Sequence, residues 1–255
     1  MYHMNKSTIS KGGQTSNEKE LIMSIISTRK LEIESIPALL WGKPSDKVYI
    51  FVHGKMSSKE SAHGFAEIAV ERGYQVLSFD LPQHGERKDK NYKCNVWNGV
   101  HDLEVIGTYV QQNWREINLY GCSLGAYFSL LAYKDLPIKK CLFQSPIVDM
   151  EHLICKMFKW FNVTEELLRE KKEIPTPIDT LSWDYYCYVK EKPIDKWDVP
   201  TAIIYGSEDN LQSRDAIDIF TKRFNSDLTV SLGSEHDFHT KEQAQAVIKW
   251  LKEYI

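Results

Sequence analysis

The spacing of hydrophobic side chains changes repeatedly along the chain, and each change marks an element. Leu31-Glu32-Ile33-Glu34-Ser35-Ile36 alternates apolar and polar residues, the period of a strand with one face in solvent. Pro37 breaks that run, and residues 38–41 resume as a second strand. Val48-Tyr49-Ile50-Phe51-Val52 is apolar at every position, which predicts a strand covered on both faces. Further strands are expected at 75–79, 117–120, 140–143, 199–205 and 228–232. The longer segments between them read as helices. One runs from Ser57 to Arg72, opened by the capping-box pair Ser57 and Glu60 and stopped by Gly73. Others cover 100–114, 126–133 and 211–224, and Thr240 with Gln243 opens a last one.

Strands alternating with helices of this length predict an α/β fold, a mostly parallel central sheet flanked by helices. The two strands at the front suit an antiparallel edge. Residues 146–196 interrupt the alternation. They carry Trp160, Phe161, Trp183, Tyr185, Tyr186 and Tyr188, a charged stretch from Glu165 to Glu173, and Pro175 and Pro177. Such a segment between two sheet strands is expected to form a helical cap. The division expected is a flexible tail at 1–20, a core at 21–145 and 197–255, and a cap insertion at 146–196.

Composition narrows the function classes. The 255 residues are 42% hydrophobic with a formal charge of −3, enough apolar surface for a core and no basic excess to attract nucleic acid. No apolar run is long enough for a membrane span, and the short run 21–26 lacks the basic start of a signal peptide. Cys94, Cys122, Cys141, Cys155 and Cys187 are odd in number, widely spaced and free of any C-x-x-C pair. That argues against zinc and against a disulfide framework, and for thiols in a reducing cytoplasm.

The chemistry centres on Gly121-Cys122-Ser123-Leu124-Gly125. It matches G-x-S-x-G with a predicted strand before it and a helix after it, the context of a sharp turn that presents a serine nucleophile. Glycines two residues either side leave room for that turn. A serine hydroxyl needs a base, and the base needs a partner that fixes its tautomer. The expected chain order is serine, then acid, then histidine. Asp209, in the turn after the 199–205 strand, is the candidate acid, with Glu208 as runner-up. His236, after the last strand, is the candidate base; His239 sits against the final helix cap and is the alternative. The remaining histidines, His3, His53, His63, His84, His101 and His152, read as structural or solvated, although His84 could touch substrate. Cys122 would be a rival nucleophile, but the residue before an elbow serine points elsewhere.

Oxyanion donors are expected from the backbone N–H of Leu124 and of Lys55 in the His53-Gly54-Lys55-Met56 loop, with Met56 as the alternative donor. Substrate contacts are unassigned beyond Met56 and Trp183 as candidates.

Taken together, the His53-Gly54 loop, the Asp80–Gly85 loop, the Gly121–Gly125 elbow, the Gly206–Asp209 loop and His236 resemble the α/β-hydrolase superfamily over roughly residues 30–255. The likeness is greatest to its esterase, lysophospholipase and serine-aminopeptidase-like branch. That resemblance implies a hydrolase acting through an acyl-serine intermediate on a small-molecule acyl substrate, with no cofactor and no metal; a carboxylic ester is the expected substrate, and acyl transfer or peptide cleavage on the same three residues, or a non-catalytic binding protein of the same fold, are the alternatives. Lys55 departs from the pattern, since many relatives carry an apolar or aromatic residue there.

Overall fold

A computed structural model describes residues 26–255. The expected tail at 1–20 and most of the 21–26 run lie outside the described residues. The chain opens with a hairpin of β1 (Thr28–Ile33) and β2 (Ile36–Trp41). Glu34 and Ser35 turn it with φ of 46° and 71°. Two consecutive left-handed residues match the twist of the flanking strands. The alternation had suggested one strand running through Ile36 to a break at Pro37. The break comes earlier because Glu34 and Ser35 form the turn without the Asn or Gly that signals one. Pro37 lies inside β2, near its start, where its missing N–H is tolerated, and its carbonyl accepts the Asp80 N–H at 3.0 Å.

The alternation that follows is β3 (Lys47–Val52), α1 (His63–Glu71), β4 (Gln75–Phe79), α2 (Val96–Asn113), β5 (Glu116–Cys122), α3 (Leu124–Ala132) and β6 (Ile138–Gln144). After an insertion come β9 (Thr201–Gly206), α7 (Arg214–Arg223), β10 (Asp227–Ser231) and α8 (Lys241–Tyr254). Eight strands form one sheet in the order β1-β2-β4-β3-β5-β6-β9-β10. Only the pairs involving β2 are antiparallel. The carboxyl ends of β3, β4, β5, β6, β9 and β10 therefore share one edge.

β3 shows why its run is uniformly apolar. Val48, Ile50 and Val52 face a core with Leu103, Ile106 and Phe128 of α2 and α3. Tyr49 and Phe51 face the opposite core with Phe65 of α1 and Trp250 of α8. Each such side chain contributes roughly 1.5–3 kcal/mol by leaving water. The expected capping box at Ser57 and Glu60 does not form. Residues Lys59–Ala62 make a 3-10 turn instead, and Ser58, not Ser57, donates its hydroxyl to Glu60 at 2.6 Å. Lys59 draws Glu60 away as well, at 3.0 Å. α2 starts earlier than expected because Asn95 caps it, accepting the Asn98 N–H at 2.9 Å. Thr240 caps α8 as read, accepting from Gln243 at 3.2 Å.

The insertion between β6 and β9 holds α4 (Met150–Trp160), α5 (Glu165–Lys171), a hairpin of β7 (Glu173–Pro175) and β8 (Thr180–Ser182), and α6 (Trp183–Glu191). Helices alone had been expected. Pro175 and Pro177 cannot continue a helix, and the chain between α5 and α6 becomes an antiparallel ribbon. α4 and α6 pack through Phe158 and Tyr186, ring centroids 5.1 Å apart. Among the described residues no helix is long and apolar enough to cross a membrane.

Candidate active site

Ser123 sits between β5 and α3 with φ of 50° and ψ of −118°, a strained conformation for a residue with a side chain. Packing holds it there. A Cβ on Gly125 would lie 2.4 Å from the His53 carbonyl oxygen and 2.5 Å from that of Val52, and one on Gly121 would lie 3.0 Å from the Ala126 Cα. The two glycines let the elbow press against β3 and its own helix.

His236 follows β10 and Asp209 follows β9. His236 Nε2 lies 2.9 Å from Ser123 Oγ, and its Nδ1 lies 2.7 Å from Asp209 Oδ2. A carboxylate can only accept, so Nδ1 carries the hydrogen and Nε2 is left to accept from the serine hydroxyl. The Asp209 side chain is fully buried. Its other oxygen accepts the Leu211 and Gln212 N–H groups at 2.8 and 3.1 Å. Glu208 is exposed and bonds Ser207. His239 is exposed too, drawn to Asp237 at 3.0 Å and Glu235 at 2.9 Å. The Asp237 hydrogen bond and both charges raise its pKa. These three exposed side chains are grouped closely enough to hold a metal ion, but they stand apart from the hydrogen-bond chain at Ser123.

Two supports of the site carry no sequence motif. The Ser145 hydroxyl donates to the His236 carbonyl at 2.6 Å, tying the histidine loop to the end of β6. Gln212 is fully buried and its Oε1 accepts the Val148 and Asp149 N–H groups at 2.9 and 2.8 Å. It thereby ties the Asp209 loop to the start of the insertion. Neither belongs to a motif; both lie beside the predicted loops only in space.

The loop after β3 supplies the facing wall. His53 Nε2 accepts the Leu81 N–H at 3.1 Å, so its Nδ1 donates to the Gly54 carbonyl at 2.7 Å. His84 Nε2 accepts the Met56 N–H at 3.0 Å, and its Nδ1 donates to Pro82. Both rings brace loops and neither approaches Ser123 as a base. The Met56 N–H is thus engaged, which leaves Lys55 as the loop's candidate oxyanion donor. Leu124 N–H opens α3, where no carbonyl of its own helix can take it. Behind the loop, Lys59 is buried and donates to buried Asp80 at 2.7 Å, with Glu86 also 3.0 Å away. Burial alone would lower the Lys59 pKa, but the three carboxylates of Asp80, Glu86 and Glu60 raise it overall.

Burial holds the His53 pKa down at about 4, against an ordinary 6.5. The unfolded chain therefore takes up a proton that the folded chain refuses. Stability from this ring is full above pH 6.5 and falls as the pH drops from 6.5 towards 4, by about 3 kcal/mol in all. Urea midpoints at pH 7 and pH 4.5 should show this fall, and His53→Asn should remove that share of it while lowering stability at pH 7.

Ser123 and Leu124 open into a cavity walled by Phe128, Ile147, Met150, Ile154, Met157 and Leu181, with Lys55 and Asp179 also on its lining. The two expected substrate contacts do not line it. Met56 is 92% exposed, and Trp183 packs against Tyr186 and the Lys172 ammonium. Cys122 does not compete with Ser123, because burial pushes its thiol up to about 12 and keeps it protonated at neutral pH.

No family model matches the chain. A serine hydrolase-like protein of Dictyostelium discoideum is 24% identical over 103 residues, 40% of this chain and 29% of that protein. A hydrolase of Phaeosphaeria nodorum is 31% identical over 86 residues, 31% of this chain and 20% of that one. The match thus spans less than a third of either relative. Solved structures align over far more. Est1E of Butyrivibrio proteoclasticus with ferulic acid bound superposes with a TM-score of 0.72 at 19% identity, covering 89% of this chain and 97% of that one. An esterase of Pyrococcus furiosus superposes with a TM-score of 0.67 at 19% identity, covering 99% and 97%. With its strand order, its serine elbow and these superpositions, the chain has the α/β-hydrolase fold.

Proposed function

We propose that this protein is a serine hydrolase that cleaves carboxylic esters through an acyl-serine intermediate. The observation that carries the reading is the unbroken hydrogen-bond chain from Asp209 through His236 to Ser123. In the first step His236 Nε2 takes the Ser123 proton while Oγ attacks the ester carbonyl carbon. The negative charge that develops on the carbonyl oxygen faces the N–H groups of Leu124 and Lys55, with the N-terminus of α3 adding to the attraction. The carbon–oxygen bond to the alcohol then breaks, and the imidazolium returns its proton to the leaving alkoxide. Water, deprotonated by the same nitrogen, attacks the acyl-serine and releases the acid. Asp209 accepts from Nδ1 and holds the ring in one tautomer throughout.

The insertion acts as a cap over Ser123, and its apolar lining suits an alkyl or aryl acyl group. The aromatic acid bound to Est1E is consistent with the aryl case. Five free thiols suit a reducing compartment such as the cytoplasm.

The test is a panel of p-nitrophenyl and aryl esters of graded acyl length beside aminoacyl amides. Ester turnover is expected, abolished in His236→Ala and kept within about twofold in His239→Ala. Turnover kept in His236→Ala and lost in His239→Ala would reverse the base assignment. Faster cleavage of the amides would make the protein a peptidase.

A further inference from the structure

The hairpin of β7 and β8 is fastened to the core by two ion pairs. Asp179, in its connecting turn, pairs with Lys55 of the loop after β3. Glu173 of β7 pairs with Lys93 at 2.7 Å. The first pair lies on the lining of the cavity that holds Ser123. It also joins the turn directly to the residue whose backbone N–H is the proposed oxyanion donor.

Both ends of that pair are built to hold still or to transmit a pull. Thr176 Oγ1 accepts the Asp179 N–H at 3.1 Å, the Thr176 N–H donates to the Asp179 carbonyl at 3.0 Å, and Asp179 Oδ1 accepts the Thr180 N–H at 2.7 Å. The carboxylate is therefore fixed on a stiff turn, and its second oxygen is left for Lys55. On the other side, Gly54 runs so close to the elbow that a Cβ there would lie 3.2 Å from the Ser123 Cβ. His84 clamps the following N–H of Met56. Lys55 sits between these two fixed points, and its side chain is held from the opposite direction by the hairpin.

We propose that Asp179 is a positioning residue: from its place in the turn it holds the Lys55 ammonium and thereby sets the Lys55 N–H at the oxyanion site, so that full rate requires the Asp179–Lys55 tie itself. This rests on the esterase reading above. An oxyanion donor displaced from its place costs turnover rather than ground-state binding. A hairpin that served only as a cavity wall would change KM.

The experiment measures kcat and KM for p-nitrophenyl butyrate in the wild type, Asp179→Asn, Lys55→Gln, the double variant and Glu173→Gln. Asp179→Asn and Lys55→Gln should each lower kcat about tenfold with KM within twofold. The double variant should be no slower than either single one, because both remove the same tie. The exchange Lys55→Asp with Asp179→Lys should restore much of the rate, and Glu173→Gln should keep wild-type kcat. Raising NaCl from 0.05 to 1 M should slow the wild type and leave Asp179→Asn unaffected, since both ends of the pair are partly exposed. Unchanged kcat in Asp179→Asn, additive losses in the double variant, or an equal loss in Glu173→Gln would overturn the proposal while leaving the esterase reading intact. No ester turnover in the wild type would overturn both.

Discussion

Ser123→Ala should lower kcat/KM for an activated aryl ester by about 10⁶-fold, with the circular dichroism spectrum and Tm unchanged. The size follows from the arrangement. Ser123 Oγ is the only hydroxyl bonded to His236 Nε2 among the described residues, and the neighbouring thiol of Cys122 is held protonated by burial. No second nucleophile is ready to replace it. In the proposed mechanism serine and base act in one proton transfer, so their losses should not add. Ser123→Ala with His236→Ala should be no slower than Ser123→Ala alone. The residual rate over the uncatalysed reaction would then report the contribution of the Leu124 and Lys55 donors and the cavity. A retained rate in Ser123→Ala, measured with the same ester, would remove the serine from the mechanism.

Gly125→Ala should be strongly destabilising for a single added methyl group. The new carbon would meet two backbone carbonyl oxygens and the Val52 carbonyl carbon, the last at 2.9 Å. These atoms belong to the end of β3 and the loop beyond it. β3 is paired on both sides, to β4 and β5, and cannot give way without breaking the sheet. The expected cost is about 4 kcal/mol, or roughly 8–16 °C in Tm for a chain of this size. Activity should fall as well, because relief of the clash moves Ser123 away from the Lys55 loop. Gly64→Ala is the matched control: nothing lies within 4 Å of the added carbon, and it should hold or slightly raise Tm. A Gly125→Ala protein with wild-type Tm and rate would show that the elbow is not packed as described.

The parts of this site that were legible in the sequence are those where backbone geometry restricts residue type over a few positions. The elbow is the best case: Gly121 and Gly125 leave no room for a Cβ where the turn presses on β3 and its own helix, and they frame Ser123 at a fixed spacing. The fold class was legible because strands alternate with helices along the chain, and β3 is apolar on both faces as a covered central strand requires. Asp209 and His236 were reachable from chain order and from their positions after strands. What stayed illegible depends on neighbours distant in sequence. The Glu34-Ser35 turn is enforced by pairing across β1 and β2, not by residue type. Glu60 looked like half of a capping box but is claimed by Lys59. Gln212, Ser145 and Asp179 carry no local signature, because their partners are the Asp149 and Val148 backbone, the His236 carbonyl and Lys55. Trp183 was drawn in by aromatic composition, and the fold turned it onto Tyr186 instead. The cavity is lined mainly by α4 and the β7–β8 hairpin, elements whose sequence patterns are the least regular in the chain.

The most direct measurement is peptide mapping by mass spectrometry after reaction of the native protein with a fluorophosphonate. A single phosphonyl adduct is expected on Ser123, within the peptide that carries Gly121–Gly125, formed rapidly in the wild type and in His239→Ala and at least about a thousandfold more slowly in His236→Ala. An adduct on another residue, or labelling of Ser123 at the same rate without His236, would contradict the proposed mechanism.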